Sequence, residues 1–137
     1  VVAVPLMRVE EMKLIEAEAA GMQDEGRGKT LLEAFAKTRD PQYTYNDLQS
    51  FRDNVWWQRR VELWGEGFAT FDIKRFEKGI TRSYAGTNHP KGYRWNTDGV
   101  PDWMNLCIVG TEVNFNQACT NNPTPIQPTE DSPEKVW

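Results

Sequence analysis

One stretch of this chain limits the folds open to it more than any other: Gln58-Arg59-Arg60-Val61-Glu62-Leu63-Trp64-Gly65-Glu66-Gly67. Upstream of it Leu48, Phe51 and Val55 recur at three- and four-residue spacing, the pattern of one helix face. Continued downstream, that face reaches Arg59, Glu62 and Glu66, so an apolar stripe turns ionic half-way along. Residues three and four apart are surface neighbours on a helix, so Glu62 lies beside both Arg59 and Glu66. If the face is covered, each charge needs an opposite charge and hydrogen bonds, because a buried unpaired ion costs several kcal/mol, roughly. The helix is therefore expected to have partners of matching charge on other elements.

A chain of 137 residues suits one compact domain by length, and no apolar run approaches membrane-spanning length. The net charge of -4, with Lys and Arg spread along the chain, argues against a dedicated nucleic-acid binder. Cys107 and Cys119 are too few and too separated for a zinc site, and His89 is the single histidine. No metal or cofactor is expected. The two cysteines are open to either of two states, one disulfide or two buried free thiols.

Taken in order, Val1–Pro5 are an extended lead-in, Pro5 disfavouring helix at Val4. Leu6, Val9, Met12, Ile15, Ala19 and Met22 then repeat at helical spacing and predict an amphipathic helix ending near Gly21, its stripe broadened by Leu14 and Ala17. Glu11 and Glu18 are two turns apart and share a side beside that stripe. After a loop over 24–28, Leu31, Leu32, Phe35 and Ala36 mark a second helix, and the pair makes an antiparallel hairpin compatible with a tetratricopeptide-like unit. Asn46 is the expected N-cap of the organising helix, Gly65 and Gly67 its break, and Gly79 the stop of a further helix over 68–78. Residues 80–102 are loop-like, 103–109 strand or extended, and 111–117 one helical turn capped by Thr111. The proline-rich tail from Thr120 is predicted to be extended and to lie over another surface. The fold class is thus mainly all-α: residues 1–79 a helical region with a tetratricopeptide-like hairpin and a long kinked helix, residues 80–137 an irregular, loop-rich region packed on it.

Three motifs in this order resemble the C-terminal part of the SusD/RagB family. The first is Arg8-Val9-Glu10-Glu11-Met12-Lys13-Leu14-Ile15-Glu16-Ala17-Glu18-Ala19. The second, and most specific, is Arg59-Arg60-Val61-Glu62-Leu63 with Glu66-Gly67 and Phe71-Asp72-Ile73-Lys74-Arg75-Phe76. The third is Ile108-Val109 with Glu112-Val113, Asn116 and Asn122-Pro123. The chain departs from the family at Gln58 (usually an acid), Gly65 (an aromatic), Phe68-Ala69 (a His-Arg or similar pair) and Val109 (a proline).

The resemblance implies a mostly helical outer-membrane lipoprotein of Gram-negative gut bacteria. Such a protein is anchored by an N-terminal lipidated Cys, faces outward and caps a TonB-dependent (SusC-like) transporter. It implies binding of an oligosaccharide or polysaccharide, or of peptides in some members, without catalysis. Family members are several times longer, so the chain is expected to be a C-terminal fragment that exposes apolar surface by itself.

Two sets of residues are candidates for sites. Arg8, Glu11, Glu18, Arg59, Arg60, Glu62, Glu66, Asp72 and Arg75 are assigned to a structural ion network. Acids set beside so many bases favour ionised carboxylates over the raised-pKa acid a glycosidase needs, so no catalytic residue is assigned. Tyr84, Tyr93, Trp95 and Asn96 have the composition of a sugar site, aromatic faces with an amide, although local packing of the aromatics is the favoured account. Three functions follow: glycan capture, a helical scaffold whose contacts are with protein, and, least favoured, a glycan-active enzyme.

Overall fold

The computed structural model describes residues 7–124 and 128–136, so the expected lead-in Val1–Pro5, the start at Leu6 and the terminal Trp137 lie outside the described residues. The chain divides into two compact units, Val1–Asp72 and Ile73–Trp137. The described residues hold no β-strand longer than an isolated bridge and are mainly helical.

In the first unit, α1 (Val9–Gln23) and α2 (Glu25–Lys37) form the hairpin. The loop expected over 24–28 is a single residue. Asp24 turns the chain and caps α2, its carboxylate accepting from the backbone N–H of Gly26 at 2.9 Å and of Arg27 at 3.3 Å. Gly28 lies inside α2 because the helices approach closely there: a Cβ on Gly28 would come within 2.4 Å of Gly21 Cα. The core of the unit is Leu14, Ala17, Leu32, Phe35, Ala36, Phe51 and Val55, all buried.

The stripe of α1 is a correction. Leu14, Ala17 and Ala20 face inward, whereas Val9, Met12, Ile15 and Met22 are exposed, at 66, 44, 41 and 60 % respectively. The helix has two apolar faces, and spacing alone ranked them in the wrong order. The small residues Ala17 and Ala20 are what let α1 pack against α2.

α3 (Phe51–Glu62) starts later than Asn46. Ser50 is the cap, its Oγ accepting from Asp53 N at 3.1 Å while donating to the Asp53 carboxylate at 2.7 Å. That reciprocal pair outcompetes Asn46, whose side chain instead closes a turn onto Leu48 N. Leu48 is accordingly not on the buried face but 98 % exposed. Gly65 and Gly67 adopt positive φ (78° and 85°) and separate α3 from α4 (Ala69–Arg75), a break at the place the glycines predict.

α4 stops three residues before the expected Lys78. Lys78 N donates to Ile73 O at 2.9 Å and Glu77 N to Lys74 O at 3.3 Å, with Glu77 at φ 57°. This is a Schellman closure with a glutamate in the position glycine usually takes.

In the second unit, Thr81 bridges Asn96 antiparallel and Tyr84 bridges Lys135 in parallel. Ser132 N donates to Arg94 O at 3.0 Å and Lys135 N to Ser83 O at 2.9 Å, so the tail runs along the 83–96 segment. The run from Trp103 opens as a short 3-10 turn (Asp102–Met104), and α5 (Gly110–Phe115) is flanked by Val109 with no side-chain cap. Cys107 and Cys119 are both free, the first exposed and the second half-buried, and neither is the fully buried thiol the sequence allowed.

Candidate functional site

The ionic end of α3 is built from three chain segments of the first unit. Arg8, just before α1, donates Nη1 to Glu66 Oε1 at 2.6 Å and Nη2 to Glu62 Oε1. Arg39, just after α2, donates Nε to Glu62 Oε2 at 2.9 Å and Nη2 to Glu62 Oε1 at 3.0 Å. It also reaches Glu10 at 3.2 Å, and Glu10 lies 3.5 Å from Arg8. Two arginines thus hold one carboxylate, a geometry in which bidentate charge-assisted bonds are strongest. The hydrogen bond from Arg39, followed by the charges of Arg39 and Arg8, lowers the Glu62 pKa below the usual carboxylate value, and Glu62 in turn raises that of Arg39.

A second pair sits deeper. Arg59 Nε donates to Asp72 Oδ2 at 2.8 Å, and both residues are only 5 % exposed. Breaking such a pair by removing one partner strands the other charge. Arg59 Nη1 is also shielded from solvent yet meets no hydrogen-bond acceptor. An unsatisfied buried donor costs about 1–3 kcal/mol.

Arg59 and Asp72 line a cleft of about 230 Å³ whose walls include Trp56, Leu63, Trp64 and Phe68. Gly65, Gly67 and Ala69 contribute little bulk to it, and Arg60 also lines it, its guanidinium 5.2 Å over the Trp56 ring. Trp64 is 84 % exposed.

Of the residues assigned to the ion network, Arg8, Glu62 and Glu66 meet in one cluster and Arg59 and Asp72 form a separate pair. Glu11 enters neither set. Glu18 is half-buried on α1, Arg60 lies over Trp56, and Arg75 has its guanidinium 4.0 Å over the Phe76 ring. Glu10 and Arg39 belong to the cluster as well, beyond the residues the sequence assigns to it. Arg39 stands at the start of a connection with no periodicity to mark it, and only the fold brings it to Glu62.

The sugar-site candidates lie in the second unit. Trp95 is 6 % exposed, packed at 5.6 Å centroid distance on Tyr93 and edge-on at 5.2 Å to Trp103. Asn96 Oδ1 accepts from Arg82 N and Ser83 N, both at 2.9 Å, and its Nδ2 donates to Ser83 O and Pro133 O, both at 3.1 Å. The Asn96 amide has no capacity left for a ligand hydroxyl, and neither face of a buried indole is open to a pyranose. Tyr84 is half-buried and Tyr93 is 56 % exposed.

The two most distinctive motifs are therefore joined physically, Arg8 of the first gripping Glu62 and Glu66 of the second. The sequence profile of the SusD family matches residues 2–130. The chain belongs to the SusD family. No curated protein and no solved structure matches it. In this SusD-family chain the asparagines of the third motif are engaged within the second unit, one beside α5 and one tying the segment after it back to residue 106. Asn116 Nδ2 donates to Glu112 at 2.7 Å, and Asn122 Nδ2 donates to Leu106 O, also at 2.7 Å.

Proposed function

We propose that this chain serves as a non-catalytic nutrient-binding component, with a glycan as ligand, of an outer-membrane uptake complex. Its partner is a TonB-dependent, SusC-like transporter, and a lipid anchor outside the present sequence holds it facing outward. Membership of the SusD family supports this reading. The observation that carries the non-catalytic part is the state of Glu62, held by hydrogen bonds from both Arg8 and Arg39 with its pKa lowered. A general acid for glycoside hydrolysis needs the opposite shift. Affinity electrophoresis against a panel of polysaccharides tests the reading: retardation by at least one, with no release of reducing sugar, is the expected result. Release of reducing sugar would overturn it.

A second reading, a helical scaffold whose contacts are with protein, is favoured by the exposed stripe Val9, Met12, Ile15 and Met22 on α1. Retention by no polysaccharide, together with co-purification of the transporter, would select it.

A further inference from the structure

We propose that the cleft between α3 and α4 is a subsite for an acidic sugar, a pyranose carrying a carboxylate, with Arg59 as the carboxylate's buried donor. The proposal rests on the glycan-binding reading above and names the class of residue bound.

Three observations converge on it. Arg59 is 5 % exposed and lines the cleft, and its guanidinium keeps one buried nitrogen, Nη1, without an acceptor while Nε is engaged by Asp72. A donor placed out of water with nothing to donate to is stabilised by any ligand that brings an acceptor. The charges lining the cleft are Arg59 and Arg60 against Asp72, an excess of one positive charge, which selects an anion over a neutral hydroxyl. The remaining wall is aromatic, and the exposed ring of Trp64 offers a face for the C–H side of a pyranose. A volume of about 230 Å³ falls below the roughly 300–1,000 Å³ typical of drug-sized ligands, and so fits a single small unit.

Calorimetric titration of the full chain with trigalacturonate and with a neutral galactose trisaccharide tests this, together with the variants Trp64→Ala and Ala69→Trp. Both positions are exposed and outside the Arg59–Asp72 pair, so the fold is retained, as circular dichroism would verify. The acidic trisaccharide is expected to bind about tenfold or more tighter than the neutral one, the effect of one charge-assisted hydrogen bond. Its binding should weaken with added salt and be lost when tryptophan at 69 fills the cleft. Equal affinity for the two trisaccharides, no binding of the acidic one, or acidic binding untouched by both variants would each overturn the subsite. If neutral polysaccharides are still retained in affinity electrophoresis, the subsite falls while the glycan-binding reading stands; if none is retained, both fall.

Discussion

In the helical unit, most backbone groups are satisfied by the helices themselves, and side chains such as Asp24, Ser50 and Asn54 serve the backbone only at helix ends and in the 46–50 turn. The others chiefly do two things: fill a core and neutralise one another. Leu14, Leu32 and Val55 do the first with no exposed surface, and Arg8, Arg39, Glu62, Arg59 and Asp72 do the second. In the second unit almost no regular structure is available, so side chains take over the backbone's hydrogen bonds. Asn96 serves four backbone groups, Asp131 accepts from Gly92 N and Arg94 N, and Ser83 Oγ donates to Ser132 O. Polar side chains thus have a different main role in each of the two regions. In one they hold charge against charge; in the other they replace a missing ladder.

The contrast can be broken most sharply at the buried pair. Asp72→Ala leaves the Arg59 guanidinium without its partner at 5 % exposure and should cost about 3–5 kcal/mol in urea unfolding. Replacing both together, Arg59→Met with Asp72→Leu, should recover most of that loss, because no buried charge remains. If the double replacement is as damaging as the single, the pair is not held by charge neutralisation.

In the second unit the corresponding lesion is Asn96→Ala. It orphans Ser83 N and removes the side-chain partner of Pro133 O, while Arg82 N keeps Trp95 O and Ser83 O keeps Lys135 N, and should cost about 1–3 kcal/mol. The distinguishing readout is amide hydrogen exchange: protection should fall at Ser83, fall less at Arg82, which keeps Trp95 O, and persist in α1 and α2. Uniform loss of protection along the chain would erase the distinction between the two regions.

This difference also explains what could be foreseen from the sequence. Helices advertise themselves by period, so α1, α2, α3 and the break at Gly65 and Gly67 were visible, and the charged face of α3 demanded partners before any was known. Which of α1's apolar faces turns inward was not visible, because Val9, Met12 and Ile15 are larger than Ala17 and Ala20 while only close approach to Gly28 favours the smaller ones. Caps were misplaced where a reciprocal pair such as Ser50 and Asp53 beat a lone asparagine. Arg39 was missed because a single arginine in a loop has no pattern. The cleft beside Arg59 was invisible for the same reason: a void has no residue of its own. In the second unit Asn96 has the composition of a ligand contact, and only the hydrogen-bond partners reveal that its amide is already spent.

Acid sharpens the comparison with smaller effects. Glu62 in the first unit and Asp131 in the second both have lowered pKa values, the former chiefly from the Arg39 hydrogen bonds, the latter from the backbone N–H groups of Gly92 and Arg94. A carboxylate whose folded pKa is depressed contributes stability that is full above its unfolded value and is lost as pH falls through the folded one. Loss should therefore begin near the ordinary carboxyl values of 4.5 for Glu62 and 3.8 for Asp131, and be complete only below them. Arg39→Gln should raise the Glu62 pKa toward 4.5 in an NMR titration and lower the urea midpoint only slightly at neutral pH, because the pair is partly exposed to solvent. Added salt should raise the Glu62 value, whose donors are charged, more than that of Asp131, whose hydrogen-bond donors are neutral amides. Equal salt sensitivity at the two carboxylates would contradict the division drawn above.

The smallest effect has the opposite sign. Glu77 closes α4 at φ 57°, the left-handed region, where an L-residue costs roughly 1–2 kcal/mol. Glycine there removes that cost but gives back about 0.5–1 kcal/mol through the greater freedom of the unfolded chain. Glu77→Gly should therefore stabilise by about 0.5–1 kcal/mol, provided the bonds from Lys78 N to Ile73 O and from Glu77 N to Lys74 O are kept. A small rise in urea midpoint with unchanged slope is the expected result. A fall in the midpoint would mean that the Glu77 side chain supplies something the backbone geometry does not reveal. The second unit, otherwise held by side chains, would then begin with one more of them.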